Sequence, residues 1–115
     1  RENKSAVEKA KLQISEAELE YLNAQKELQK TIEDIYLDAT SSQAQYAAAI
    51  EQVKASKTSY NLAQEQFNLG MKNTVELLTE KNNFLSAQQE MLQAKYMAIL
   101  NAQLLRFYQG KEITL

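Results

Sequence analysis

The chain has 115 residues, 24% of them charged, and a formal net charge of −2 from 13 basic and 15 acidic side chains. Both signs are interspersed, which argues against the basic face or arm that a nucleic-acid partner requires, and no stretch approaches the ~18 consecutive apolar residues of a membrane-spanning helix. With no histidine and no cysteine, the commonest general base, the usual transition-metal ligands and the thiol nucleophile are all missing, so no enzyme of those kinds and no cofactor or metal is expected.

The length suits a single unit covering 1–115, and the supply of large aliphatic residues is smaller than a compact globular core uses. Proline is absent and the only glycines are Gly70 and Gly110, so nothing forbids long helices. The chain enters a charged helical pattern directly at Arg1, with no apolar leader segment, and is expected to be a piece of a longer protein. The lack of cysteine fits an oxidising or surface compartment without establishing one.

The first predicted helix runs from about residue 5 to 68. Apolar and small residues recur at alternating steps of three and four through Val7, Ala10, Ile14, Ala17, Tyr21, Ala24 and Leu28. The seam then continues through Ile32, Ile35, Ala39, Ser42, Tyr46, Ala49, Val53, Ser56, Tyr60, Ala63 and Phe67. This heptad order outlasts the three or four repeats usually asked of a coiled coil. Around Leu28 the seam takes two consecutive steps of four, a stutter that unwinds a heptad coil locally. Tyr46, Val53, Tyr60 and Phe67 alternate with Ala49, Ser56 and Ala63, so small residues let a partner backbone approach. A second row at seven-residue spacing, Ser41, Ala48, Ala55, Leu62 and Leu69, gives the helix another face to bury.

Residues 69–73 are predicted to form a tight turn. Gly70 is suited to the left-handed conformation that closes a helix, and Asn73 followed three residues later by Glu76 has the chemistry of an N-cap and its N3 partner. Phe67 reads as a last-turn anchor, and Leu69, Met71 and Lys72 as turn residues.

The second predicted helix covers about 74–108, with Leu77, Phe84, Met91, Ala98 and Leu105 in one row and Leu78, Leu85, Leu92 and Ile99 in the next. Gly110 is expected to stop it, leaving 110–115 as a short extended tail. At 1.5 Å per residue the two helices would measure roughly 100 Å and roughly 50 Å. Folding back at the turn sets Tyr108 opposite about residue 34, so the residues before that have no partner within the chain. The stutter falls near this point, where the long helix is expected to change neighbours. The fold class is therefore all-α, an antiparallel coiled-coil hairpin with unequal arms. Glu16, Glu18, Glu20, Glu33, Asp34 and Glu51 read as parts of a solvated face, and Tyr21, Tyr46 and Tyr60 as seam residues with their hydroxyls at the rim.

Three segments carry a family resemblance: Phe67-x-x-Gly70, then Asn73-x-x-Glu76-Leu77-Leu78 with Ala87 and Ala94, and finally Leu104-Leu105-x-Phe107-Tyr108-x-Gly110. In this order they resemble the C-terminal periplasmic hairpin of TolC-like outer-membrane efflux proteins. The resemblance extends over nearly the whole chain and is most specific from Phe67 to Ala94. It implies that the parent protein is a homotrimeric duct, with a β-barrel in the outer membrane of a Gram-negative bacterium and an α-barrel of long helices in the periplasm. This chain would supply part of the α-barrel wall.

By that resemblance the 69–73 turn is the periplasmic tip, where the family narrows its pore and meets a periplasmic adaptor protein that works with an inner-membrane transporter. Phe67, Leu69, Met71 and Lys72 become candidate gate or adaptor contacts. Lys72 stands where some members carry arginine, and an ammonium lacks the planar fork for bidentate pairing; an ordinary solvated lysine is the competing reading. The implied function is passive export of small molecules or proteins. The alternative is a coiled-coil interaction module such as an adaptor hairpin, although adaptor arms are expected to be of similar length. Val7, Leu12, Ile14, Leu19, Tyr21, Leu22 and Leu28 would face water in a lone hairpin, so the isolated chain is expected to self-associate through residues 1–33.

Overall fold

The computed structural model describes the backbone of residues 2–114 and the side chains of residues 3–111. Two helices account for it: α1, Glu2–Asn68, and α2, Thr74–Thr114. Threonines interrupt neither, because Thr31, Thr40, Thr58 and Thr79 each donate their hydroxyl to the carbonyl four residues earlier, at 2.9, 2.9, 3.0 and 2.9 Å. That local bond satisfies a polar group which otherwise competes with helical structure.

The chain divides into two units, residues 1–34 and residues 35–115. The second unit is an antiparallel hairpin, in which the latter part of α1 packs along α2. Its buried residues are all small: Ala39, Ser42, Ser56 and Ala63 on α1, Ala87 and Ala98 on α2. Tyr46, Val53 and Tyr60 are half-buried beside them, as are Leu77, Phe84, Met91, Leu105 and Tyr108 on α2. Two helices make one layer of contact and no enclosed interior, so only side chains lying directly between the backbones lose their water. Two interactions fix the register. The Asn101 amide donates to Ser42 Oγ and approaches the Asp38 carbonyl at 3.5 Å, and the Tyr60 and Phe84 rings meet at 5.9 Å. A polar residue at one seam position is a known device for specifying register between helices.

Within the first unit α1 is bare. Val7, Leu12, Ile14, Leu19, Tyr21 and Leu22 are each more than half exposed, and Ile14, Ala17, Tyr21 and Leu22 border a shallow apolar groove. Tyr21 accepts a hydrogen bond from Gln25 Nε2 at 3.0 Å, leaving its ring available on the same face.

The far end of α2 corrects the sequence reading. Gly110 does not stop the helix, which continues to Thr114, so 110–114 is helical rather than an extended tail, and Leu115 lies outside the described residues. Gly70 is the one glycine with positive φ among the described residues. Glycine inside a helix costs about 1 kcal/mol relative to alanine, a penalty that neighbouring helix formers such as Gln109 and Lys111 overcome in the absence of proline. Lys111 adds to this. Its ammonium sits 5.2 Å from the Phe107 ring centroid and 6.0 Å from that of Tyr108, and as a cation in the last turn it complements the helix dipole.

Substituting Gly110→Ala therefore distinguishes the two roles by sign. Space is open around the position, so a helical Gly110 predicts a gain of about 0.5–1 kcal/mol, read as a rise in thermal midpoint by circular dichroism. A glycine acting as a left-handed stop would give a loss.

Candidate functional site: the hairpin tip

The tip is built by the backbone. Helix α1 ends with the two bonds of a Schellman motif: Gly70 N–H donates to the Phe67 carbonyl at 3.0 Å and Met71 N–H to the Gln66 carbonyl at 2.8 Å. The 6→1 bond from Met71, which spans Gly70, requires a left-handed residue there, and the φ of Gly70 is +76°. No atom lies within 4 Å of where a Cβ would stand, so glycine is demanded by the torsion angle and not by crowding.

Helix α2 begins at once. Asn73 Oδ1 accepts the Glu76 N–H at 2.8 Å, and the first helical bond runs from Leu77 N–H to the Asn73 carbonyl at 3.2 Å. The cap works in one direction only, since among the described residues the Asn73 N–H donates no return bond to the Glu76 carboxylate. As the acidic residue of the first turn, Glu76 still faces the positive end of the helix dipole.

This tight turn leaves its apolar side chains in water. Leu69, Met71 and Val75 are 75%, 70% and 71% exposed, the highest values among the large hydrophobic residues described. A Schellman motif commonly covers the side chain at Met71's position by packing it on the residue five earlier; here that residue is Gln66, and Met71 stays bare. Phe67 is 38% exposed and borders an open groove with Asn61, Gln64, Glu65, Asn68 and Leu77. Lys72 is partly buried and forms no ion pair within the described chain. Of the residues singled out from sequence, Phe67, Leu69, Gly70, Met71, Lys72, Asn73 and Glu76 are brought together here. Gly110 lies at the opposite end of α2.

Sequence reasoning missed two residues of the tip. Gln66 replaces Phe67 as the last part-buried residue facing α2, and its Oε1 is buried without a hydrogen-bond partner, a condition that costs about 1–3 kcal/mol. The signal was a seam step of three rather than four after Ala63. Val75 completes the exposed apolar group, and its sole cue was a β-branched residue in the first turn of a helix, where it has no core to face.

The arrangement offers contact and no reaction chemistry: a rigid polypeptide corner, fixed by five hydrogen bonds, that presents three bare hydrophobic side chains and one cation. A sequence profile of the outer membrane efflux protein family matches residues 1–111, and the chain belongs to that family, whose role is transport through efflux channels of the outer membrane. No curated protein and no solved structure matches the chain. No helix among the described residues is long and apolar enough to cross a membrane.

The turn chemistry makes a quantitative prediction. Gly70→Ala should destabilise the hairpin by about 1–2 kcal/mol through backbone strain alone, and Asn73→Ala by about 1 kcal/mol through loss of the cap. Asn at position 70, a residue that tolerates the left-handed region, should restore part of the loss. Denaturant titration of the three variants reads all of these.

Proposed function

We propose that this chain is a stave of the periplasmic tunnel in a trimeric outer-membrane duct, and that its tip meets a periplasmic adaptor protein within a tripartite efflux or secretion system. The bare apolar corner carries the reading: exposing Leu69, Met71 and Val75 together at the end of an ordered turn is unfavourable unless a partner covers them. Family membership supports the channel over an adaptor hairpin, and the helical, water-facing character of α1 and α2 suits a periplasmic segment of an outer-membrane protein. The duct makes and breaks no bonds. It supplies a path, with energy provided by an inner-membrane transporter, and it opens by small displacements of its tips.

Lys72 is the proposed gate contact. It has no anionic partner among the described residues, and in this reading the carboxylate or carbonyl that restrains it comes from a neighbouring stave of the closed tip. A single ammonium is a weaker latch than a forked guanidinium.

The intact parent protein, reconstituted in planar bilayers, is expected to conduct, and Lys72→Glu to shift the balance of closed and open states. Leu69→Asp with Met71→Asp is expected to abolish export in cells while leaving the trimer assembled. Absence of any conductance from the parent would defeat the channel reading, and undiminished export by the double variant would defeat the docking role of the tip.

The unpaired arm makes a separate prediction. At micromolar concentration the isolated chain should sediment with a mass above that of one chain, and Leu12→Gln, Leu19→Gln and Leu22→Gln together should weaken the association, because these exposed positions on α1 supply apolar surface without supporting its fold. A monomer with full helical content would refute it.

A further inference from the structure

The seam contains two buried serines, Ser42 and Ser56, each 7% exposed, and their hydroxyls are treated differently. Ser42 Oγ accepts a hydrogen bond from the Asn101 amide. Two heptads along α1, from 42 to 56, and two heptads back along α2, from 101 to 87, the residue opposite is Ala87. Ser56 Oγ has no hydrogen-bond partner among the described residues. It does not even bond back to the carbonyl four residues earlier, as Thr31, Thr40, Thr58 and Thr79 do. Polar groups so nearly buried are normally paired in native structures, and leaving one unmade is costly.

Ser56 borders a groove of about 330 Å³ between α1 and α2, within the size range of small-molecule sites. The groove exists because Ser56 and Ala87 are small; larger side chains at these two seam positions would fill it. Its walls are two helical stripes. On α2, Glu80, Asn83, Ala87 and Glu90 recur at steps of three, four and three, and on α1, Gln52, Ser56 and Ser59 recur at steps of four and three. Carboxylates stand at the two ends of the α2 stripe, hydroxyls and amides lie between them, and no basic side chain lines the groove. Glu80 is a part-buried seam residue, a setting in which a charge is ordinarily paired. Among the described residues neither carboxylate is in an ion pair, and the nearby Lys54 is held by Glu51 at 3.3 Å.

The spacing decides the kind of cation. Ten residues separate Glu80 from Glu90, about 15 Å of helix axis at 1.5 Å per residue. One metal ion, whose oxygen ligands stand within about 2.6 Å, cannot bridge them, and no acidic cluster able to hold a metal occurs among the described residues. A linear cation charged at both ends suits the pattern instead, with N–H donors for the hydroxyls and methylene segments to lie over Ala55 and Ala87. We propose that the groove binds one aliphatic polyamine along its length, its terminal ammonium groups at Glu80 and Glu90 and an N–H donated to Ser56 Oγ. The site belongs to the hairpin itself and goes beyond the tunnel reading without resting on it.

The test is titration calorimetry of the whole chain with spermine, 1,12-diaminododecane and 1,4-diaminobutane in about 0.1 M salt, where exposed charges more than about 10 Å apart are largely screened. Spermine is expected to saturate at one molecule per chain. The long diamine should bind several-fold more tightly than 1,4-diaminobutane, which carries the same charge but cannot reach both carboxylates. Glu80→Gln and Glu90→Gln should each weaken spermine binding several-fold, and Ser56→Ala, which removes no hydrogen bond from the fold, should weaken it as well. Glu16→Gln makes the same change in net charge outside the groove and should leave the affinity unaltered, with the helicity of every variant checked by circular dichroism. An equal loss of affinity in Glu16→Gln would mean a diffuse attraction of cations to an acidic chain and would overturn the proposal. Equal affinity for the two diamines would overturn it too, as would spermine binding that Ser56→Ala leaves unchanged. None of these results bears on conductance by the parent protein, so the channel reading stands or falls separately.

Discussion

Everything in this hairpin depends on how closely two helical backbones approach. Ala39, Ser42, Ser56, Ala63, Ala87 and Ala98 are the buried residues, and their small side chains allow α1 and α2 to run together while Tyr60, Phe84 and other large residues flank the contact. Burial of alanine and serine yields little hydrophobic free energy, at about 25 cal/mol per Å² of apolar surface removed from water. Specificity accordingly rests on particular pairs, the Asn101–Ser42 hydrogen bond and the Tyr60–Phe84 ring contact, rather than on bulk. The same register sets which residues of α1 and α2 stand opposite one another up to the tip.

The tip is where this architecture leaves its most exposed large hydrophobic residues. A Schellman motif and an N-cap together satisfy the orphan backbone groups of two helix ends within a few residues, so the corner needs no core to hold it. That independence is what permits Leu69, Met71 and Val75 to remain in water. Exposed hydrophobic residues on a flexible loop would collapse onto the nearest apolar surface; on a corner locked by its own backbone they stay displayed.

The legible parts of the sequence were those governed by local rules. Gly70, Asn73 and Glu76 carried the turn because left-handed geometry and capping depend on one or two residues, and the heptad rows showed which faces meet because spacing alone sets helical direction. Three features were obscure for identifiable reasons. Gly110 looks like a stop, but a glycine means a stop only if the chain reverses after it, and that is decided by surroundings. Gln66 takes the position expected of Phe67 because the helix drifts relative to a strict heptad near its end. Asn101 reads as one polar residue among many until its position opposite Ser42 is known.

The small-residue seam has a thermodynamic consequence. The heat-capacity change of unfolding follows the apolar surface exposed, and a contact made of alanine and serine exposes little. The stability of the lone hairpin should thus form a shallow curve against temperature, neither sharply maximal nor readily lost on cooling. Curvature would come wherever the exposed leucines of α1 and α2 are covered, so that a marked temperature response would belong to contacts made outside the seam more than to the seam itself.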